Sequence, residues 1–494
     1  MAFPQAVIPA YRSTPALETL SPLVAASLAV ILIGVVLRHS WTGGLRFQPD
    51  EALYATWARM VASGQDVWLA TRVVDKPPLF IYTLAALFAT VGASEEIARI
   101  PNLIANLCTI GLTYAIAMEL YGDHRVAGWS AGFMALSPLT IAFAPTTYTD
   151  PTMVAWWLMA LWLGCKRRYT ASGLSYGLSL ATKPDAILLA PLLIWLLVRP
   201  SRGVTKSALG LWLVGCAIPL AAVTLWSAAR PQPDFLQAGL NHIGGLSMVE
   251  PARYFERLAG WLHLAQAFAP ELLWALLGIG LLSRSGRMHV ASDAALWCYL
   301  AFWLVVHTAV SFPIWDRYLL PLSPIVALLA GHAVTHGLQR LRQSRWRSAA
   351  APICLVWLVA WAGHALSDES PIGRDIHQYD GIDQVGQYFW AHDTSATVLY
   401  VHDLSWDLDY YTFGQNLDRR WVPDGASLAS DAAHMPLARR FAVLAAGELA
   451  DSVWMEALAR ERLHATPVLI GYRPGGRPSL YLFDISPLES DARD

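Results

Sequence analysis

Up to Ala365, apolar runs recur at residues 21–38, 100–121, 126–143, 151–165, 170–182, 185–198, 207–228, 262–282, 290–312, 318–337 and 348–365. Several approach the ~20 residues a helix needs to cross a bilayer, so the pattern predicts a polytopic, mainly α protein with roughly eleven transmembrane helices. One shorter run, Leu79 to Ala93, lies between Pro77-Pro78 and Glu95-Glu96. At about fifteen residues it suits an interfacial or re-entrant helix rather than a span. Residues 170–198 form two short apolar halves that meet at Thr182-Lys183-Pro184-Asp185, which predicts two helices joined at a turn. Gly173 and Gly177 would let the first half pack closely on a neighbour.

After Ala365 the pattern changes. Ile376, Tyr379, Ile382, Val385 and Phe389 fall at helical spacing within 375–391, and a second helix fits 452–461. Short strands are predicted at 397–401, 441–444, 468–472 and 480–483. The chain therefore divides into a transmembrane domain, residues 1–365, and a small soluble α/β domain, residues 366–494.

Composition strengthens this reading. Of 494 residues, 55% are hydrophobic and only 15% charged, against the quarter or so usual in soluble domains. A net charge of -2 excludes a general polybasic surface and, with it, nucleic acid as an expected partner. The five cysteines all lie in apolar segments without metal-ligand spacing, so they read as buried thiols. The run at 21–38 lacks a basic leader and a small-residue cleavage site, and is expected to be a retained span.

Lys and Arg cluster at 166–168, 199–206, 284–287 and 340–347, and the positive-inside rule puts these loops in the cytoplasm. Arg12, Arg38 and Arg46 around the first run argue the opposite way. With Leu79–Ala93 not counted as a span, the loops holding Asp50, Lys76 and Asp150 share the outer face with the C-terminal domain. The expected location is the plasma (inner) membrane, with the C-terminal domain extracytoplasmic.

Charged groups gather around the first outer loop. Asp50 and Glu51 follow Pro49 at the start of an amphipathic helix carrying Leu53, Tyr54, Trp57 and Val61. An N-cap carboxylate would sit there too. The two carboxylates diverge by about 100°, so one at most aims into a given site. Lys76, between Asp75 and Pro77-Pro78, would pair with Asp75 or clamp a phosphate oxygen. Asp150 precedes Pro151 at the outer start of a run, where a helix-start role also fits. The outer loop 231–257 brings His242 and Arg253, and the outer end of a later run brings Trp315, Arg317 and Tyr318. Trp315 and Tyr318 also suit interfacial anchoring. Asp75 and His242 are the candidate ligands for a divalent metal.

Taken in order, Pro49-Asp50-Glu51-x-x-Tyr54, Asp75-Lys76-Pro77-Pro78, Thr149-Asp150-Pro151, Thr182-Lys183-Pro184 and Arg317-Tyr318-Leu319-Leu320-Pro321 resemble the GT-C membrane glycosyltransferases. The resemblance is to the family 39 group, which includes protein O-mannosyltransferases and lipid A aminoarabinose transferases. It implies a GT-C fold with interfacial helices in the first outer loop, and transfer of a sugar from a polyprenyl-phosphate donor to an acceptor hydroxyl. It assigns the catalytic carboxylate to Asp50, phosphate contact to Lys76, and shaping of the site to Asp150. Glu51, His242, Arg253, Arg317 and Tyr318 complete the candidate substrate-binding set. Asp75 stands where relatives often carry Glu, which leaves a divalent metal as an open possibility and no other cofactor expected. The partners expected are a polyprenyl-phosphate sugar donor, membrane lipids, and a lipid, polysaccharide or protein acceptor. A transporter or flippase of a lipid-linked sugar is the alternative; the lack of internal repeats and the scarcity of ionisable residues at mid-span positions weigh against it. A non-catalytic scaffold with a partner-binding outer domain is a third reading.

Overall fold

The structure is a computed structural model that describes residues 45–198, 205–230, 234–242, 245–265, 287–341, 377–435, 439–450 and 453–488, with isolated positions elsewhere. The N-terminal part is a helical bundle: α1 (Pro49–Ala62), α2 (Pro78–Val91), α3 (Glu95–Tyr121), α4 (His124–Leu136), α5 (Pro138–Phe143), α6 (Asp150–Cys165), α7 (Tyr169–Thr182), α8 (Ala190–Val198), α9 (Lys206–Ala228), α10 (Phe235–His242), α11 (Tyr254–Leu264), α12 (Arg287–Ala309) and α13 (Ser323–Leu341). Among the described residues, Glu95–Tyr121, Lys206–Ala228 and Asp316–Gln339 are long and apolar enough to cross a membrane. Pro78–Val91 and Pro184–Val198 are shorter apolar helices. The expected runs at 21–38, 262–282 and 348–365 fall largely outside the described residues, as does the 365/366 domain boundary.

The expected run 126–143 is broken in two. Pro138 biases Ser137 towards extended backbone (φ -62°, ψ 121°), so α4 ends there and α5 begins anew. The predicted turn at Thr182-Lys183-Pro184 is present: α7 stops at Thr182, Lys183 is extended, and a 3-10 turn runs over Pro184–Leu189 into α8.

Small residues set the α7–α9 contact. A Cβ on Gly173 would lie 1.9 Å from the Trp212 carbonyl oxygen, and one on Gly177 would lie 2.6 Å from that of Cys216. From the other side, a Cβ on Gly215 would lie 2.1 Å from the Thr170 oxygen. The two backbones touch only because side chains are absent there. Cys165 and Cys216 are buried free thiols as expected, whereas Cys108 and Cys298 are free but exposed on the bundle surface, and Cys354 lies outside the described residues.

Two arginines fasten the loops between these helices. Arg230, at the end of α9, donates to the Leu69 and Arg72 carbonyl oxygens at 2.9 Å and lies over the Trp226 ring. It thereby anchors the loop leading to Asp75-Lys76, which Asp66 also stiffens by accepting from the Ala70 and Thr71 amides. Arg257 on α11 donates to the carbonyl oxygens of His307, Thr308, Val310 and Phe312, satisfying acceptors freed at the end of α12.

The C-terminal domain contains α14 (Ile382–Ala391), β1 (Thr397–Val401), α15 (Ser405–Tyr411), β2 (Asp418–Trp421), α16 (Gly425–Ala433), β3 (Arg439–Ala445), α17 (Val453–Arg460), β4 (Leu463–Tyr472) and β5 (Pro478–Pro487). Its sheet has the order β2-β1-β3-β5-β4. β1 runs parallel to β2 and β3, while β5 is antiparallel to β3 and β4. Apolar cores cover both sheet faces, one around Leu399, Val443 and Leu482, the other around Tyr400, Ala442 and Phe483. Each strand predicted from sequence is present: β1 spans its predicted residues, and β3, β4 and β5 run longer than expected; β2, α15 and α16 were not predicted. The predicted first helix begins only at Ile382, after turns at 377–381.

Helix α15 packs this domain on α1. The Tyr411 hydroxyl accepts from the Phe47 amide (2.9 Å) and donates to Glu95. Arg59 on α1 donates to the Tyr410 carbonyl at 2.8 Å and lies over the Tyr410 and Phe413 rings. Arg46 bridges Glu95 and Asp383, each at 2.8 Å. The chain entering α1 is therefore held from both domains.

Candidate active site

Gln48, not Asp50, is the N-cap of α1. Pro49 takes the first helical position, where its missing N–H costs nothing, and Glu51 reaches back to the Gln48 amide at 3.0 Å. The other Glu51 oxygen accepts from the Thr147 amide at 2.5 Å. Both oxygens of this buried carboxylate fix backbone, and the residue also lines the cavity that contains Asp50. Burial pushes the Glu51 pKa up against the pull of Arg99 and the two amides.

Asp50, relieved of capping, turns the other way. Its Oδ2 accepts from Nη1 of Arg317 at 2.6 Å, with the two side chains only 20% and 12% exposed. Arg317 belongs to the 3-10 turn Asp316–Leu322, and its guanidinium sits 4.6 Å from the Tyr148 ring centroid and 4.3 Å from that of Trp315. Its Nε–H has no hydrogen-bond partner among the described residues. Burial alone would raise the Asp50 pKa. Arg317, and after it Lys76, outweigh burial and hold the carboxyl below the usual range.

Tyr148 is placed by a small polar relay. Asn102 donates to the Thr146 and Tyr148 carbonyls (2.7 and 2.6 Å) and accepts from Thr152. The Tyr148 hydroxyl donates to the Gln48 side chain at 2.7 Å, joining the wall of the site to the start of α1.

Asp50, Arg317, Tyr148, Trp315, His242 and Trp406 line a cavity of about 280 Å³. Two of these, His242 and Trp406, also border a neighbouring cavity of about 410 Å³ with Leu53, Trp57, Val73 and Asp75. The His242 and Trp406 rings lie 5.5 Å apart between the two spaces.

The remaining expected residues are distributed unevenly. Lys76 pairs with Asp75 and lies 5.9 Å from the Tyr54 ring, close enough for its charge to act on Asp50. Asp150 is buried and taken by Lys183 at 2.7 Å; Lys183 also meets Asp185 and lies over the Tyr318 ring at 4.4 Å. Asp150 and Tyr318 thus support the wall behind Arg317 without lining the cavity. Arg253 is 61% exposed beside Glu256 and is not brought to Asp50.

Asp75 and His242 supply two donor groups, one already engaged by Lys76, which falls short of the three protein ligands usual in a catalytic zinc site. Among the described residues, the group with three potential ligand atoms within 4.8 Å is His402, Asp403 and Glu448, in the C-terminal domain. Sequence reasoning missed Tyr148, Trp406 and Lys183. Lys183 carried a signal, as a lysine beside proline between two apolar halves; Trp406 carried none.

Residues 75–226 match the Dolichyl-phosphate-mannose-protein mannosyltransferase family. An undecaprenyl phosphate-alpha-4-amino-4-deoxy-L-arabinose arabinosyl transferase of Pseudomonas fluorescens is 25% identical over 354 residues, covering 67% of this chain and 60% of that one. A transferase of the same description from Pseudomonas aeruginosa is 26% identical over 326 residues, or 60% of this chain and 56% of that one. The chain thus aligns with somewhat over half the length of these relatives. The ArnT structure from Cupriavidus metallidurans bound to undecaprenyl phosphate superposes with a TM-score of 0.62 at 17% identity, covering 94% of this chain and 97% of that one. The Archaeoglobus fulgidus oligosaccharyltransferase gives 0.55 at 13% identity, covering 92% and 72%. The protein has the GT-C fold of the membrane glycosyltransferases. Its sequence relatives lie on the aminoarabinose transferase branch.

Proposed function

We propose that this chain transfers a sugar from a polyprenyl-phosphate carrier to an acceptor hydroxyl at the outer face of the plasma (inner) membrane. The bundle would cross the membrane about eleven times, with the C-terminal domain outside. The observation that carries this reading is the Asp50–Arg317 pair: a carboxylate that can accept a proton and a guanidinium that can hold an anion share one cavity. The undecaprenyl-phosphate chemistry named for the relatives supports the same donor class.

The acceptor oxygen attacks the sugar C1 while the bond from C1 to the phosphate oxygen breaks, its electron pair leaving with the phosphate. Asp50 takes the hydroxyl proton, and one in-line displacement inverts C1. Arg317 and Lys76 stabilise the charge growing on the departing phosphate. Before the donor arrives, Arg317 keeps Asp50 ionised at the expense of its basicity. A phosphate that draws the guanidinium towards itself frees the carboxylate when a proton must be accepted. The apolar walls Leu53, Trp57 and Val73 suit the first isoprene units of the carrier.

The test uses purified chain in nanodiscs with an undecaprenyl-phosphate sugar labelled in the sugar. Chain-dependent release of undecaprenyl phosphate, with label passing to an acceptor or to water, is expected. Label that crosses the bilayer still attached to its carrier would overturn transferase activity in favour of a flippase.

A further inference from the structure

We infer that the cavity between the C-terminal domain and the start of α1 is an acceptor subsite for a hydroxyl-rich saccharide. This rests on the transferase reading and specifies its acceptor. The cavity measures about 520 Å³ and is lined by Tyr379, Trp406, Trp421, His402, Asp403 and Ser405 among others. That volume is in the range of small-molecule sites.

Its position is the first argument. Pro49, Tyr379 and Trp406 belong both to this cavity and to the one containing Asp50, so a ligand in the first abuts the proposed base. A hydroxyl on its near end would approach from the side of the C-terminal domain. The prenyl side lies across His242 and Trp406.

The lining chemistry is the second. Three aromatic rings offer flat apolar faces, and Trp421 is 62% exposed although large aromatics are normally covered. The C–H face of a pyranose stacks on such a ring, leaving its hydroxyls to point sideways. Groups to receive them are at hand: Asp403 is 66% exposed and accepts, while Ser405 both donates and accepts. His402 is oriented by Glu448, whose Oε1 lies 2.5 Å from Nδ1 and whose other oxygen is fixed by the Ala445 amide. With Nδ1 so occupied, Nε2 is left for a ligand. The Trp421 ring lies 6.3 Å from that of His402, at 24°.

What the wall lacks is the third argument. Among its described lining residues there is no Lys or Arg to hold a phosphate and no Leu, Ile, Val, Phe or Met to hold an acyl or prenyl chain. Aromatic faces framed by hydroxyl-binding groups, without cations or aliphatic chains, select a neutral or amino sugar.

The experiment compares wild type, Trp421→Ala and Asp403→Asn as full chains in nanodiscs. Binding of maltotriose, chitotriose and a serine-containing hexapeptide is followed by saturation-transfer NMR. At least one saccharide should bind wild type, and its affinity should fall at least tenfold in both variants. Saccharide binding that is absent, or unchanged by both substitutions, overturns the subsite; peptide binding that alone depends on Trp421 replaces it with a peptide site. Acceptor-independent release of undecaprenyl phosphate, measured on the same samples, should be unchanged by Trp421→Ala. That release tests the transferase reading separately: its presence without saccharide binding removes only the subsite.

Discussion

Replacing Arg317 by Gln should move the acid limb of activity to higher pH. The guanidinium is 2.6 Å from Asp50 Oδ2, both side chains are largely shielded, and the carboxyl lies below its usual range despite burial. An opposite charge at this range lowers a carboxylate pKa by about 1–3 units, or about 1.4–4 kcal/mol. Without Arg317, burial opposes only Lys76, so the Asp50 pKa rises by roughly that amount. The profile of kcat/KM against pH reports the free enzyme's base, and its acid limb should shift upward by about 1–3 units. Arg317→Lys, which retains charge but loses the planar fit between Tyr148 and Trp315, should shift less. Stability provides a second readout. A depressed carboxylate pKa gives stabilisation that is present above the unfolded value of about 3.9 and lost as pH falls through the folded value. Arg317→Gln should therefore remove that portion of the acid-side loss of Tm. An unmoved or downward-shifted limb would refute the account of how Asp50 is kept ionised.

Other consequences follow from the same structure. Lys76→Ala should raise the KM for the lipid-linked donor about tenfold or more with a smaller fall in kcat; equal donor affinity in a titration would remove the phosphate contact. Gly173→Leu should destabilise the bundle by about 1–3 kcal/mol or more, because its Cβ would meet the Trp212 carbonyl at 1.9 Å; thermal unfolding in detergent checks this. Asp407 is fully buried, with neither carboxylate oxygen hydrogen-bonded to another of the described residues, and burial pushes its pKa well up against its own amide and with the help of the Glu51 and Asp50 charges. Its stabilising share is complete below the unfolded value and is lost as pH rises towards the folded one. Asp407→Asn should consequently raise Tm at pH 7 and flatten its fall as pH rises above the unfolded value of about 3.9.

Much of the helical order was legible because apolar runs and their breakers are local signals. Pro184 and the glycines of α7 act on their own neighbourhood, and both behave as their chemistry requires. The Asp50 motif was visible for the same reason. Arg317 was singled out as well, but its pairing with Asp50 was not: the two lie 267 residues apart, and a contact between a helix start and a distant 3-10 turn leaves no periodic mark. The capping role of Glu51 was masked by the adjacent carboxylate, since either residue could close the helix start until the Gln48 geometry is seen. Strand β2 escaped notice because Asp418-Arg419-Arg420-Trp421 is a polar edge strand, without the alternation of a half-buried one. Trp406 reaches the site only through the docking of α15 on α1, a tertiary event that its surrounding sequence does not encode.

Single-turnover transfer by Asp50→Asn, beside undecaprenyl phosphate binding to the same sample, bears most directly on the claim that this carboxylate accepts the proton. Loss of a positioned general base should slow transfer by about 10²–10⁴-fold while the carrier still binds. Transfer within a few-fold of wild type would contradict it.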